Sequence, residues 1–189
     1  LFYKYMKEIL IWNEKINVTA IKDEKEFIIK HFIDSLTINK YIEPKKTIID
    51  IGTGAGFPGL VLKILKPEIE LTLLDSLNKR INFLKDVSDK MGVNAEFIHS
   101  RAEDGGRTHR AKFDTVVSRA VANMTVLSEL CLPFLKVGGY FLALKGPLAD
   151  EELEDAKKAI HILGGEDVDE VGTTLGAFHL IVEGGDSLH

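Results

Sequence analysis

Four glycines lie within the ten residues from Asp50 to Gly59, which read Asp-Ile-Gly-Thr-Gly-Ala-Gly-Phe-Pro-Gly. Glycine adopts positive φ angles and lets a ligand lie directly against the main chain, since it has no Cβ atom. A turn of this composition between a strand and a helix is typical of sites for nucleotide-containing cofactors. The spacing of Gly54, Gly56 and Gly59 also fits the dinucleotide fingerprint, so the glycines alone do not choose between NAD and S-adenosylmethionine.

Two neighbours of these glycines favour S-adenosylmethionine. Asp50 ends the preceding strand, and a carboxylate there suits a cationic amino-acid group better than a pyrophosphate. Phe57 and Pro58 place a bulky ring and an imino acid where a dinucleotide site needs small groups and free amides. We therefore predict that the cofactor is S-adenosylmethionine. Its predicted contacts in this turn are Asp50, Gly52, Gly54, Gly56 and Phe57.

Three candidate contacts for the nucleoside part of a cofactor follow the next two predicted strands. Asp75 closes the second strand 19 residues after Gly56, where a carboxylate can accept both hydroxyl donors of a ribose diol. Both cofactor classes use such an acid, so Asp75 supports a nucleoside without choosing between them. Ala102 and Glu103 follow the third strand and are predicted to contact the adenine amino group.

Two cations are predicted at the mouth of the same site. Arg119 follows the fourth strand and Lys145 ends the fifth, and both suit an anionic polynucleotide. We predict that they act in catalysis, Arg119 beside both the cofactor and the acceptor, and Lys145 in orienting the acceptor base or its phosphate. His31 lies on the inner side of a helix pattern and is predicted to be a core residue rather than a base. No Cys and His spacing for a metal is present.

Alternating strand and helix patterns position these residues. Two helices, at about 3–13 and 24–41, precede the first strand. Predicted helices then follow the glycine run and the second strand, and also cover 123–135 and 150–163. Such alternation predicts an α/β fold: a doubly wound, Rossmann-like, mostly parallel sheet with an antiparallel edge strand from a closing hairpin. The predicted strands are Thr47–Ile51, Glu70–Leu74, Ala95–His99, Phe113–Ser118, Tyr140–Leu144, Glu166–Val171 and Ala177–Glu183.

Composition is that of a globular chain of 189 residues with a net charge of −5. The charge is uneven, because residues 1–149 carry +4 and residues 150–189 carry −9. The mildly basic body permits an RNA partner. One cysteine and no apolar run of about 20 residues predict a cytoplasmic protein without a membrane partner. We expect an N-terminal helical addition at 1–44, a main domain at 45–183 and a short tail at 184–189.

Seven ordered motifs resemble the small-subunit ribosomal RNA methyltransferase G family, also called glucose-inhibited division protein B. The resemblance spans about residues 5–165. The motifs are Trp12-Asn13-x-Lys15-Ile16-Asn17-Val18-Thr19, Lys30-His31-Phe32-x-Asp34-Ser35-Leu36, the glycine run 50–59, Asp75-Ser76-x-x-Lys79-Arg80, Arg101-Ala102-Glu103, Ser118-Arg119-Ala120-Val121-Ala122 and Lys145-Gly146.

The resemblance implies a class I S-adenosylmethionine-dependent methyltransferase that methylates N7 of one guanine in 16S ribosomal RNA. It implies 16S rRNA or the small ribosomal subunit as partner, and we expect a monomer. The family's cofactor contacts fall on Gly52, Phe57, Ala102, Glu103 and Arg119. The sequence departs from the family in two places. The segment Asp104–Ala111 is rich in Gly, Arg and His, and no basic tail with phosphate contacts follows the last strand, which indicates either a truncated sequence or RNA binding through the body alone.

Guanine N7 carries a lone pair and no proton, so its methylation requires orientation and no general base. Two alternatives stay open on sequence. An NAD-dependent oxidoreductase would share the strand, the glycines and Asp75. A non-catalytic, cofactor-binding RNA module would keep the glycines without transferring a methyl group.

Overall fold

The computed structural model describes residues 1–119, 122–145, 149–172 and 178–185, with a seven-stranded sheet at the centre. The strands are β1 Thr47–Ile51, β2 Glu70–Asp75, β3 Glu96–His99, β4 Phe113–Arg119, β5 Leu135–Lys145, β6 Gly165–Gly172 and β7 Phe178–Gly184. Their order is β3-β2-β1-β4-β5-β7-β6, in which β1 to β5 are parallel to one another and β7 is antiparallel to both β5 and β6. The predicted α/β class is confirmed, and its antiparallel strand lies one place inside the edge.

Helices cover both faces of this sheet. They are α1 Phe2–Asn13, α2 Glu24–Phe27, α3 Asp34–Leu36, α4 Gly59–Leu65, α5 Asn78–Met91, α6 Ala102–Thr108, α7 Met124–Cys131 and α8 Ala149–Ile162. Local chemistry sets several helix ends: the Asn123 side chain accepts a hydrogen bond from the Val126 N–H at the start of α7, and Gly92 ends α5 with a φ of 66°.

The predicted helix at 24–41 is continuous only from Glu24 to Leu36, and it is not α-helical throughout. A π-helix, Ile28–Ile33, joins α2 to α3, and a 3-10 turn follows at Asn39–Tyr41. The spacing of apolar residues in the sequence does not distinguish this π-helix from an α-helix, because both would bury nearly the same side chains. The π-helix brings His31 and the Lys30 carbonyl to the same guanidinium, that of Arg119.

Two other element predictions need correction. The helix expected to run to residue 135 ends at Cys131, a 3-10 turn with Pro133 follows, and β5 begins at Leu135 rather than Tyr140. Helix α6 was not predicted, since its glycine pair resembles a loop. The structure shows why that pair is small: a Cβ on Gly105 would lie 2.8 Å from Leu74 Cδ1.

Two apolar clusters pack against the sheet, and the N-terminal helices belong to one of them. Tyr5 and Phe27 are fully buried there together with Ile48 of β1 and Leu60 of α4. The core is thus continuous across the predicted boundary at residue 44, and that boundary stays a prediction. Within the described residues, no helix is long and apolar enough to span a membrane.

Some sequence motifs fall partly outside the described residues. These positions are Ala120, Val121, Gly146 and residues 186–189 of the expected tail.

Candidate functional site

Two pockets meet at Gly52, at the carboxyl edge of the sheet. The strand-end pocket, of about 300 Å³, is lined by Ile51, Gly52, Leu74, Ser76, Ser100, Arg101, Ala102, Glu103, Ser118, Leu127 and Leu130. The glycine-turn pocket, of about 340 Å³, is lined by Val18, Thr19, Ala20, Ile21, His31, Gly52, Thr53, Gly54, Ala55, Phe57 and Arg119. Ligands of doubly wound sheets bind at this edge, so these two pockets, which share Gly52, are the candidate ligand site.

The glycine turn has the backbone that its sequence predicts. Gly52, Gly54 and Gly56 have φ angles of 69°, 59° and 97°. A Cβ on Gly54 would meet nothing closer than 3.9 Å and would take up ligand space, whereas one on Gly56 would lie 2.3 Å from the Tyr5 hydroxyl. Gly54 therefore leaves room for a ligand, and Gly56 admits the N-terminal helix against the turn.

Asp50 lies inside the turn, with no exposed surface. Its Oδ2 accepts hydrogen bonds from the Gly59 N–H at 2.9 Å and the Thr53 hydroxyl at 2.8 Å. Its Oδ1 has no hydrogen-bond partner among the described residues. These bonds give Asp50 a role in holding the turn's shape, and its predicted contact with the cofactor stays a prediction.

Asp50 gives the protein's stability a pH dependence with a definite sign. Burial raises the pKa of its carboxyl from 3.8 to about 7, against the lowering effect of its two hydrogen bonds. Between about pH 4 and pH 7 the folded state holds a proton that the unfolded chain releases, so this contribution to stability falls as pH rises. We expect Asp50→Asn to flatten that slope, measured by urea unfolding at about pH 5 and about pH 8. An equal slope in the variant would assign the effect to another group.

Asp75 connects the end of β2 to the glycine turn. Its Oδ2 accepts from the Gly54 N–H at 3.0 Å, and its Oδ1 accepts from the Leu77 N–H at 2.9 Å. Arg80 Nη1 lies 3.5 Å from Oδ2. The carboxylate is almost fully buried, and its predicted bond to a ribose diol stays a prediction.

The start of α6 forms one wall of the strand-end pocket. Ala102 and Glu103 both line it, as an adenine contact requires, and the neighbouring Arg101 and Ser100 line it too. Ser118 completes the floor, where its hydroxyl donates to the Ile51 carbonyl at 2.9 Å. The structure thus brings Ala102 and Glu103 together with Gly52 in a pocket that Arg119 does not line.

Arg119 lies at the mouth of the glycine-turn pocket, surrounded by acceptors from the N-terminal segment. Its Nη1 lies 3.3 Å from the Lys30 carbonyl and 3.5 Å from Asp34 Oδ2, and its Nη2 lies 3.1 Å from His31 Nδ1. Its Cζ is 4.9 Å from the ring centroid of Phe57. The sequence analysis placed Arg119 and Phe57 in the site, whereas Asp34 appeared only as a member of the second motif, without a predicted role.

His31 is not the core residue that its helical position predicts. It is half-buried on the pocket wall, stacked on Phe57 with ring centroids 4.5 Å apart and an interplanar angle of 8°. Burial first, then the charges of Arg119 and Lys30, lower the pKa of His31 to about 4. The imidazole is therefore neutral at neutral pH and is tied to Arg119 and Thr19.

Lys145 lines neither pocket. Its side chain is 7% exposed and pairs with Glu152 at 2.8 Å, and its ammonium donates to the Ala122 carbonyl at 2.5 Å. The same glutamate accepts from the Met124 N–H at 3.0 Å, which connects β5 and α8 to the start of α7. The predicted catalytic role of Lys145 stays a prediction, and its contacts are those of a structural ion pair.

A double-mutant cycle separates these two roles of Lys145. We expect Lys145→Met to lower the free energy of unfolding by about 2 kcal/mol, because it leaves Glu152 partly buried without its partner. Lys145→Met combined with Glu152→Gln should recover most of that loss, and turnover per folded molecule should stay near that of the wild type. A drop of tenfold or more in turnover at unchanged stability would instead support the catalytic role.

The sheet order and the glycine turn define the fold of the class I S-adenosylmethionine-dependent methyltransferases. Two solved structures share the fold: a SAM-dependent methyltransferase from Aquifex aeolicus, with a TM-score of 0.64 at 18% identity, covering 88% of this chain and 96% of that one; and precorrin-6y C5,15-methyltransferase from Geobacter metallireducens, with a TM-score of 0.62 at 18% identity, covering 89% and 98%. At these identities the likeness shows the fold alone.

Sequence comparison identifies the family. The chain belongs to the rRNA small subunit methyltransferase G family, whose sequence model matches residues 1–180. It is 55% identical over 170 residues to ribosomal RNA small subunit methyltransferase G of Clostridium kluyveri, covering 87% of this chain and 72% of the relative. It is 56% identical over 170 residues to the protein of the same name from Clostridium perfringens strain 13, covering 87% and 71%.

The family membership confirms the predicted resemblance and the cofactor class. It does not favour the NAD-dependent oxidoreductase or the non-catalytic RNA module. Among the described residues, no three His, Cys, Asp or Glu side chains come together as a metal site.

Proposed function

We propose that this protein transfers the methyl group of S-adenosylmethionine to N7 of one guanine in 16S ribosomal RNA. The observation that carries the proposal is the pair of pockets joined at Gly52, with Arg119 at the mouth of the second. The name shared by the relatives, ribosomal RNA small subunit methyltransferase, supports the small-subunit RNA as acceptor. The mildly basic body at residues 1–149 suits that polyanion.

The residues present fit the cofactor. The strand-end pocket would take the adenosine, with Ala102 and Glu103 along its wall and Asp75 at the turn beside it. The open space above Gly54 would take the amino-acid part. When bound, the cofactor supplies an electrophilic methyl group on a sulfonium, and the protein supplies orientation and the exclusion of water.

The glycine-turn pocket suits an acceptor atom that has no proton to lose. Its described lining contains no carboxylate, thiol or amine, and both nitrogens of His31 are already engaged. Guanine N7 presents a free lone pair, so orientation of the base is the principal requirement. This chemistry agrees with an arginine at the mouth of the pocket and with no general base beside it.

Arg119 has donors left for the base. A guanidinium has five N–H donors, and those directed at Lys30, Asp34 and His31 use three of them. The remaining donors can bind guanine O6, the acceptor next to N7 on the same edge of the base. Such a contact would present N7 to the methyl group. Because the proposed substrate is ribosomal RNA, we also propose that the reaction takes place in the cytoplasm.

The acceptor is tested by transfer of labelled methyl from S-adenosylmethionine. Purified small subunits, naked 16S rRNA, large subunits and protein without RNA are incubated in parallel with the enzyme. We expect label in 16S rRNA, presented naked or in the subunit, and in none of the other acceptors. Label confined to protein or to large-subunit RNA would overturn the proposal.

A further inference from the structure

We infer that His31 is a positioning residue, which as a neutral imidazole fixes the guanidinium of Arg119 over the Phe57 ring at the mouth of the glycine-turn pocket. This inference rests on the proposed function, in which Arg119 orients the guanine. It assigns a purpose to the second sequence motif, Lys30-His31-Phe32-x-Asp34-Ser35-Leu36, which the sequence alone leaves without one.

The hydrogen bonds fix the proton on the imidazole. A guanidinium only donates, so His31 Nδ1, 3.1 Å from Arg119 Nη2, must be the acceptor. The ring proton is then on Nε2, which donates to the Thr19 hydroxyl oxygen at 2.8 Å. An imidazolium would point an N–H at the guanidinium and lose the contact.

Thr19 is held in place on its other side. Its hydroxyl oxygen also accepts from the Ile21 N–H at 3.1 Å, and Asn13 Oδ1 accepts from the backbone N–H groups of Val18 and Thr19 at 2.9 Å and 3.0 Å. A chain of contacts thus runs from the end of α1 through the loop 14–21 to the imidazole and on to Arg119. Asn13, Val18 and Thr19 belong to the first sequence motif, Trp12 to Thr19, which thus supports the imidazole of His31.

The π-helix provides the geometry. Within five consecutive residues it places the Lys30 carbonyl, His31 Nδ1 and, just beyond its end, the Asp34 carboxylate around one guanidinium. Single π-helical turns are common at functional sites. The Phe57 ring packs against both groups: its centroid lies 4.5 Å from the centroid of the His31 imidazole and 4.9 Å from Arg119 Cζ.

The charges that face His31 favour its neutral form at neutral pH. Arg119 on β4 and Lys30 on the same π-helix both oppose a second positive charge, and partial burial adds to them. The pKa of His31 is about 4, so a pH profile of activity should show no histidine inflection near pH 6.5. A histidine acting as a general base would show one.

Two variants test the positioning role. His31→Leu keeps much of the bulk but removes the acceptor, and His31→Asn restores an acceptor oxygen near the place of Nδ1. We expect His31→Leu to lower kcat/KM for the small subunit about tenfold or more, and His31→Asn to recover most of the loss.

The decisive comparison uses an Arg119→Ala background. If His31 acts through Arg119, His31→Leu should cost nothing further there, because the group that it positions is gone. Equal losses in both backgrounds, or a loss that only follows a lower melting temperature, would overturn the inference.

A spectroscopic measurement keeps this test separate from the proposed function. Nitrogen-15 NMR of the histidine side chains, with His31 assigned through His31→Asn, should show the Nε2–H tautomer between about pH 6 and pH 8. Arg119→Ala should shift the His31 Nδ1 resonance. A charged ring or the Nδ1–H tautomer overturns the inference whether or not the protein methylates RNA, whereas failure of methyl transfer alone overturns only the proposed acceptor.

Discussion

Replacing Arg119 by alanine is expected to lower kcat/KM for methylation of the small ribosomal subunit by about 100-fold or more. The reason is its place at the mouth of the glycine-turn pocket, where acceptors on His31, Asp34 and Lys30 fix the guanidinium before any substrate binds. An arginine fixed in advance loses little conformational freedom when it binds the base. The measurement is labelled methyl incorporation at several subunit concentrations.

The matched control for this variant is Arg107→Ala. Arg107 is on α6, its side chain is 83% exposed, and it makes one weak ion pair with Asp104 at 4.0 Å. We expect the control to act like the wild type, and both variants to keep the circular dichroism spectrum and the melting temperature of the folded protein. Wild-type turnover by Arg119→Ala would contradict the role given to this residue.

The largest expected loss of stability follows from Gly56→Ala. At a φ of +97°, its new Cβ would lie 2.3 Å from the buried Tyr5 hydroxyl and 2.8 Å from Leu60 Cδ1. Tyr5 cannot move freely, because its hydroxyl donates to the Ala55 carbonyl and its ring packs against Phe57. Overpacking and backbone strain together predict a loss of about 3 kcal/mol or more in the free energy of unfolding.

Variants of two other glycines separate the stability cost of backbone strain from an effect on cofactor binding. Gly92→Ala, with φ +66° and open space around it, measures the cost of positive φ alone, about 1 kcal/mol. Gly54→Ala, with φ +59°, should cost a similar amount but should weaken binding of S-adenosylhomocysteine at least tenfold, since its Cβ enters the pocket. If Gly54→Ala binds the cofactor product normally, the turn is not the cofactor site. If Gly56→Ala is as stable as Gly92→Ala, the packing argument is wrong.

The parts of the structure that follow from local chemistry were predictable. The run 50–59 encodes a strand end and a turn with positive φ angles, and the structure has Gly52 at 69° and Gly54 at 59°. Buried parallel strands are short apolar runs, so β1 and β2 were predicted to within one residue. Since the carboxyl ends of these strands must share one edge, the meeting of Gly52 with Ala102 also followed.

The parts that depend on distant partners were not predictable. Lys145 ends a strand in the expected place, but its partner is Glu152 in the next helix, and sequence spacing does not reveal such a pair. His31 has core-like spacing, and only the fold shows that it contacts Arg119, 88 residues away in the chain. The glycine pair of α6 is typical of a loop in the sequence, and only the structure shows that Leu74 and Phe134 pack too closely to Gly105 to leave room for a larger side chain.

The most direct test of the central claim is to map the methylated atom on the RNA. Methylation of guanine N7 makes the strand cleavable by aniline after borohydride reduction, whereas methylation at other guanine positions does not. After incubation with the enzyme and S-adenosylmethionine, we predict one new cleavage site in 16S rRNA, at a guanine, and none with Arg119→Ala. Methyl-labelled 16S rRNA that resists cleavage would contradict the claim.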